Sequence, residues 1–127
     1  MSTHLRAYVD TQNKSIPVTD DPHAIIQFLY QELLNNVEKI IKLEVSKTET
    51  YVKSVSRALG IIYTLQTSLD FDKGGKISEN LFTVYEFCRA AILEKNENNA
   101  NEKLLTAQKL LKEIAGAWEQ IPLKEIA

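Results

Sequence analysis

Apolar residues return to one side of the chain, at steps of three and four, in four successive windows. In the first, Ile26, Leu29/Tyr30, Leu33, Val37 and Ile40/Ile41 fall on one helix face. The second carries Tyr51, Val55, Ala58/Leu59, Ile62, Gln66 and Leu69, and the third Ile77, Leu81, Val84, Cys88 and Ala91/Ile92. The fourth, Leu104, Ala107, Leu111, Ile114, Trp118 and Ile121, alternates threes and fours without a miss, a heptad-like seam suited to bundle packing. The spacing predicts helices over 22–44, 47–71, 75–95 and 100–121.

The punctuation between the windows supports those bounds. Asp21 can cap the first helix, because its carboxylate accepts from orphan amides, and Pro22 fits the first helical position. Ser46-Lys47-Thr48-Glu49 reads as a capping box. Gly74-Gly75 is the strongest break, suited to a tight reversal because neither residue has a Cβ to forbid positive φ. Asn99 can cap the fourth helix, with Glu102 three residues on, and Pro122 closes it. Residues 1–20 have no sustained period and read as a flexible N-terminal arm; 123–127 form a short tail. Four helices with short connections predict an all-α fold, an antiparallel four-helix bundle of one domain over 21–122.

Composition narrows the function classes. The chain has 127 residues, 44% of them hydrophobic, enough for a core without metal or disulfide staples. Fifteen basic residues stand against 17 acidic ones, for a net charge of −2, and no basic stripe marks a nucleic-acid surface. No apolar run approaches the ~20 residues of a membrane span, and the polar start, Met1 to Asp10, lacks a secretory core. The expectation is a cytosolic protein without membrane insertion.

Catalytic constellations are missing from the pattern. His23 lies in the first turn of a helix, a poor place for a phosphotransfer histidine, and reads as a solvated or capping residue. Cys88 falls on an apolar stripe and reads as a buried, inert thiol. Lys73-Gly74-Gly75-Lys76-Ile77-Ser78 lacks the leading Gly and the Ser/Thr of a phosphate loop and follows a helix. No metal, no cofactor and no enzymatic activity are expected.

Large apolar residues are in excess. On a wheel of about 100° per residue, Phe28 lies opposite the first stripe, and Phe82 and Leu105 lie far off theirs. Ile25 and Ile61 fall on the flanks, with Tyr63 and Tyr85 at stripe edges. Two readings fit: ordinary scattered exposure, or apolar patches that dock an amphipathic partner segment.

Several stretches, in order, resemble the flagellar secretion chaperone family FliS. The match includes Ala7-Tyr8 in the arm, Val18-Thr19-Asp20-Asp21-Pro22, and Ile25-Ile26-Gln27-Phe28-Leu29-Tyr30. The most specific piece runs from Ser68-Leu69-Asp70-Phe71-Asp72-Lys73-Gly74-Gly75 to Lys76-Ile77-Ser78-Glu79-Asn80-Leu81. Val84-Tyr85-Glu86-Phe87 and the segment from Leu110-Leu111 to Ala117-Trp118 complete it. Phe28, Gln31-Glu32 and Lys76 depart from the family pattern and bear on the shape of the client surface. The resemblance implies a cytosolic, non-enzymatic chaperone. Such a protein binds the disordered C-terminal segment of flagellin, prevents its premature polymerisation and meets the flagellar export gate. By position the resemblance points to Tyr8, Ile25, Phe28 and Tyr30 as client contacts; the wheel adds Ile61, Phe82 and Tyr85. The alternative is another helical adaptor or regulator, one that binds a protein such as an anti-sigma factor.

Overall fold

In a computed structural model that describes residues 21–118 and 120, the chain is a four-helix bundle. The helices are α1 (Pro22–Lys42), α2 (Glu49–Thr67), α3 (Phe71–Asn98) and α4 (Glu102–Trp118). Each packs on its neighbours in sequence, and α1 closes the ring against α4. The expected all-α bundle is what forms, and no strand occurs among the described residues.

The stripes meet at the centre. Leu29, Leu33, Val37 and Ile40 of α1 and Ala58, Ile61 and Ile62 of α2 are fully buried. So are Cys88, Ala91 and Ile92 of α3 and Leu104, Ala107 and Leu111 of α4. Each buried Leu or Ile contributes roughly 1.5–3 kcal/mol by leaving water. This shared apolar seam is what holds the four helices together.

The helix ends differ from the sequence expectation in instructive ways. Asp21 does cap α1, accepting from the His23 amide at 3.0 Å. The cap of α2 is Thr48 rather than Ser46; its hydroxyl accepts from the Tyr51 amide, while Ser46 Oγ sits 3.0 Å from it. The chain reverses at Ser68–Asp70, not at the paired glycines. Ser68 closes α2, and Asp70 already caps α3 by accepting from the Lys73 amide. Gly75, at φ 51 and ψ −123, is a kink inside α3. The turn before it continues to the same helix, and that shift leaves Ile77 46% exposed rather than in the core. Asn99 is the left-handed C-cap of α3, not the cap of α4. Its short polar side chain tolerates positive φ, and its Oδ1 accepts from the Val45 amide across the bundle end.

The opposite end is clasped. The rings of His23 and Trp118 stack with centroids 4.8 Å apart. Trp118 Nε1 donates to the His23 carbonyl at 3.0 Å, and His23 Nε2 donates to the Trp118 carbonyl at 2.7 Å. His23 is thus a strut between the first turn of α1 and the last turn of α4, not a solvated residue.

Candidate functional site

Helices α2 and α3 run antiparallel and are cross-linked at two levels. Gln66 Nε2 donates to Glu86 at 2.7 Å, and the Tyr51 hydroxyl donates to Asn96 at 3.3 Å. These bonds fix which residues share a level. Helical spacing then puts Val52, Leu59, Tyr63 and Gln66 on one line of α2, since steps of three, four and seven return to the same side. Phe82, Glu86, Arg89 and Leu93 share a line of α3 for the same reason.

The two lines border one seam, and it is unusually apolar for a surface. Tyr63 is 61% exposed, Val52 48%, and Phe82 and Leu93 40% each. Leu59 is half-buried beneath them. Phe71 extends the seam at its end, 49% exposed, with its ring 6.1 Å from that of Phe82. Stable cores do not leave two aromatic rings against each other in water without a reason; contiguous exposed apolar surface marks an interaction site. The polar residues of the seam are held in place. Arg89 bonds Glu86 at 3.0 Å, and with the Gln66 bond this holds the Glu86 carboxyl below its ordinary range. A partner thus meets apolar patches spaced by a fixed carboxylate–guanidinium pair.

The seven residues singled out from sequence do not converge on this seam. Phe82 lies on it. Phe28 packs half-buried against the core from α1, a helix that does not border the seam. Ile25, Tyr30, Ile61 and Tyr85 are buried, each at most 2% exposed, so the wheel placement of Ile25 and Ile61 on flanks and Tyr85 at an edge is corrected. An ideal wheel centred on one stripe misjudges the core arc, because a bundle helix packs on two neighbours and buries a wider face. Tyr8 lies outside the described residues. Tyr30 and Tyr85 do meet each other, hydroxyl to hydroxyl at 2.5 Å in the core. The seam residues Val52, Phe71 and Leu93 were missed. Each sits beside residues that carry the apolar stripe, and the cross-links that align α2 with α3 join distant parts of the chain.

Burial pushes the Cys88 thiol up to about 12, far from a reactive thiolate. Among the described residues no cluster of three His, Cys, Asp or Glu side chains could hold a metal ion. No described helix is long and apolar enough to cross a membrane.

The sequence matches the family described as flagellar protein FliS over residues 4–125. It is 29% identical to the flagellar secretion chaperone FliS of Vibrio cholerae, over 96% of this chain and 90% of the relative. The flagellar secretion chaperone FliS of Salmonella typhimurium is also 29% identical, over 94% of this chain and 90% of the relative. The flagellar secretion chaperone FliSB of Pseudomonas aeruginosa is 29% identical over 80% of this chain and 81% of the relative.

Proposed function

The chain belongs to the FliS family of flagellar proteins, and on that premise we propose that it is a cytosolic export chaperone whose client is the disordered C-terminal segment of flagellin. The observation that carries this reading is the α2–α3 seam, where Tyr63, Phe71, Phe82 and Leu93 stand exposed in one strip. A disordered client docks amphipathic segments on such a strip. Ordering the client costs about 2–5 kcal/mol, which keeps the complex releasable. Release is what handing a subunit to an export gate requires. While bound, the client's own apolar polymerisation face is covered. No catalysis is involved.

Within this proposal Phe82 contacts the client directly. Phe28 offers a second, separate contact across α1. Ile25, Tyr30, Ile61 and Tyr85 act from behind, by holding the helices that carry the surface, and Tyr8 contributes from the N-terminal segment.

Substituting the seam tests the proposal without touching the core. Phe82→Asp and Tyr63→Asp are each expected to weaken binding of a flagellin C-terminal peptide at least tenfold, with unchanged helical circular dichroism. Phe82 and Tyr63 variants that bind the peptide as the parent does would remove the seam as the client site.

A further inference from the structure

We propose that, without a client, the α2–α3 seam is occupied by a second copy of this chain, packed antiparallel about a two-fold axis that passes between Glu86 and Arg89. The spacing along α3 carries this inference. Phe82, Glu86, Arg89 and Leu93 follow one another at steps of four, three and four. The line therefore has the same spacing read from either end. Its midpoint falls between Glu86 and Arg89, with Phe82 and Leu93 each about 8 Å away on opposite sides. Turning a second α3 end for end about that midpoint sets Phe82 of each copy on Leu93 of the other, and Glu86 of each on Arg89 of the other. A two-fold contact between identical chains needs such a self-complementary patch, in which residue i meets j and j meets i. A partner of unrelated sequence gives no reason for the symmetry.

The chemistry along the line fits the same axis. Phe82 and Leu93 are equally exposed, and each exchanges water for the other. Phe71 lies at the Phe82 end of the seam, ring against ring. Val52 lies at the Leu93 end, because the Tyr51–Asn96 bond sets the start of α2 against the end of α3. The two-fold brings those two ends together as well. Arg89 spends Nε and Nη2 on its own Glu86, at 3.3 and 3.0 Å. That leaves Nη1 of its five-donor fork for the facing carboxylate. Each ion pair stays intact and meets its inverted twin. Alone the pair is nearly half exposed and contributes little; across the axis it fixes register more than affinity. A strip two helices wide and some five turns long, about 20 Å by 30 Å, buries roughly 1,200 Å² over both copies, the low end for a specific interface. Such a dimer is displaceable.

The test is sedimentation velocity of the full chain alone, from micromolar to near-millimolar concentration. A reversible monomer–dimer equilibrium with no larger species is expected. Glu86→Arg and Arg89→Glu each set like charges across the axis, and each is expected to weaken dimerisation roughly tenfold or more with unchanged helical circular dichroism. An equimolar mixture of those two variants is expected to form a heterodimer, because each then faces the opposite charge. The Glu86→Arg/Arg89→Glu chain is expected to regain the parent's self-association. A chain that stays monomeric throughout, a dimer indifferent to both charge reversals, or two variants that fail to pair when mixed would each overturn the assignment. The inference rests on the same seam as the client proposal, but no flagellin peptide enters these measurements. Failure of the dimer leaves client binding standing, and failure of peptide binding leaves the dimer standing.

Discussion

Tyr30 and Tyr85 carry their hydroxyls into the core from helices on opposite corners of the bundle, and each satisfies the other at 2.5 Å. Burial raises Tyr30 to about 12, with the Tyr85 hydrogen bond working weakly against it, and burial raises Tyr85 well above its ordinary value. Two outcomes follow. Tyr85→Phe strands the Tyr30 hydroxyl and is expected to cost about 1–3 kcal/mol, whereas Tyr30→Phe/Tyr85→Phe together costs less than the sum of the singles. Urea unfolding of the three variants measures this. In the unfolded chain both phenols ionise near 10, below their folded values, so the stability they contribute is full below that pH and is lost as pH rises toward 12. The tyrosinate absorbance of these two residues should appear together with unfolding and not before it. Trp118, 2% exposed and clasped to His23, is the other costly residue: Trp118→Ala is expected to lower stability by about 3–5 kcal/mol in the same assay.

The elements show where local sequence determines structure and where it does not. The four stripes are legible because burial imposes helical periodicity on Leu33, Ile62, Ile92 and Leu111 alike. The ends are less legible because several residues compete for each cap. Ser46 and Thr48 are both able to cap α2, and Asn99 is able to close α3 or open α4; tertiary bonds, such as Val45 to Asn99, decide. The two adjacent glycines signal a special backbone but not its use, since the same freedom serves a reversal or a kink. At Gly75 the use is a kink, and a Cβ there would meet nothing within 4 Å. Gly75→Ala therefore costs only backbone strain, on the order of 1–3 kcal/mol. Gly116, with equally open space and ordinary φ inside α4, gives the opposite sign: Gly116→Ala is expected to stabilise by about 0.5–1 kcal/mol. Thermal unfolding of the pair checks that the positive φ, not glycine as such, matters at 75.

At the scale of the molecule, a ring of four helices leaves four outer seams, and they are not alike. The α2–α3 seam exposes Tyr63, Phe71, Phe82 and Leu93, whereas α1 and α2 are joined by the Glu32–Arg57 ion pair. A surplus of apolar residues was visible in the sequence at Phe82 and Leu105, but which of them share a surface depends on how helices far apart in sequence are aligned. Gln66 and Glu86, twenty residues apart, set that alignment, and nothing in either residue's neighbourhood announces it. Buried residues such as Ile61 and Tyr85 look eligible on a wheel because the wheel knows one helix at a time. The seam's function as a client surface is the central claim. Calorimetric titration of the full chain with the C-terminal peptide of its own organism's flagellin, at several temperatures, tests it most directly. The account predicts binding with a large negative heat-capacity change, from burial of the Phe71–Phe82 strip, that shrinks in Phe82→Asp. A folded, helical chain that releases no heat and binds no peptide at any temperature would contradict it.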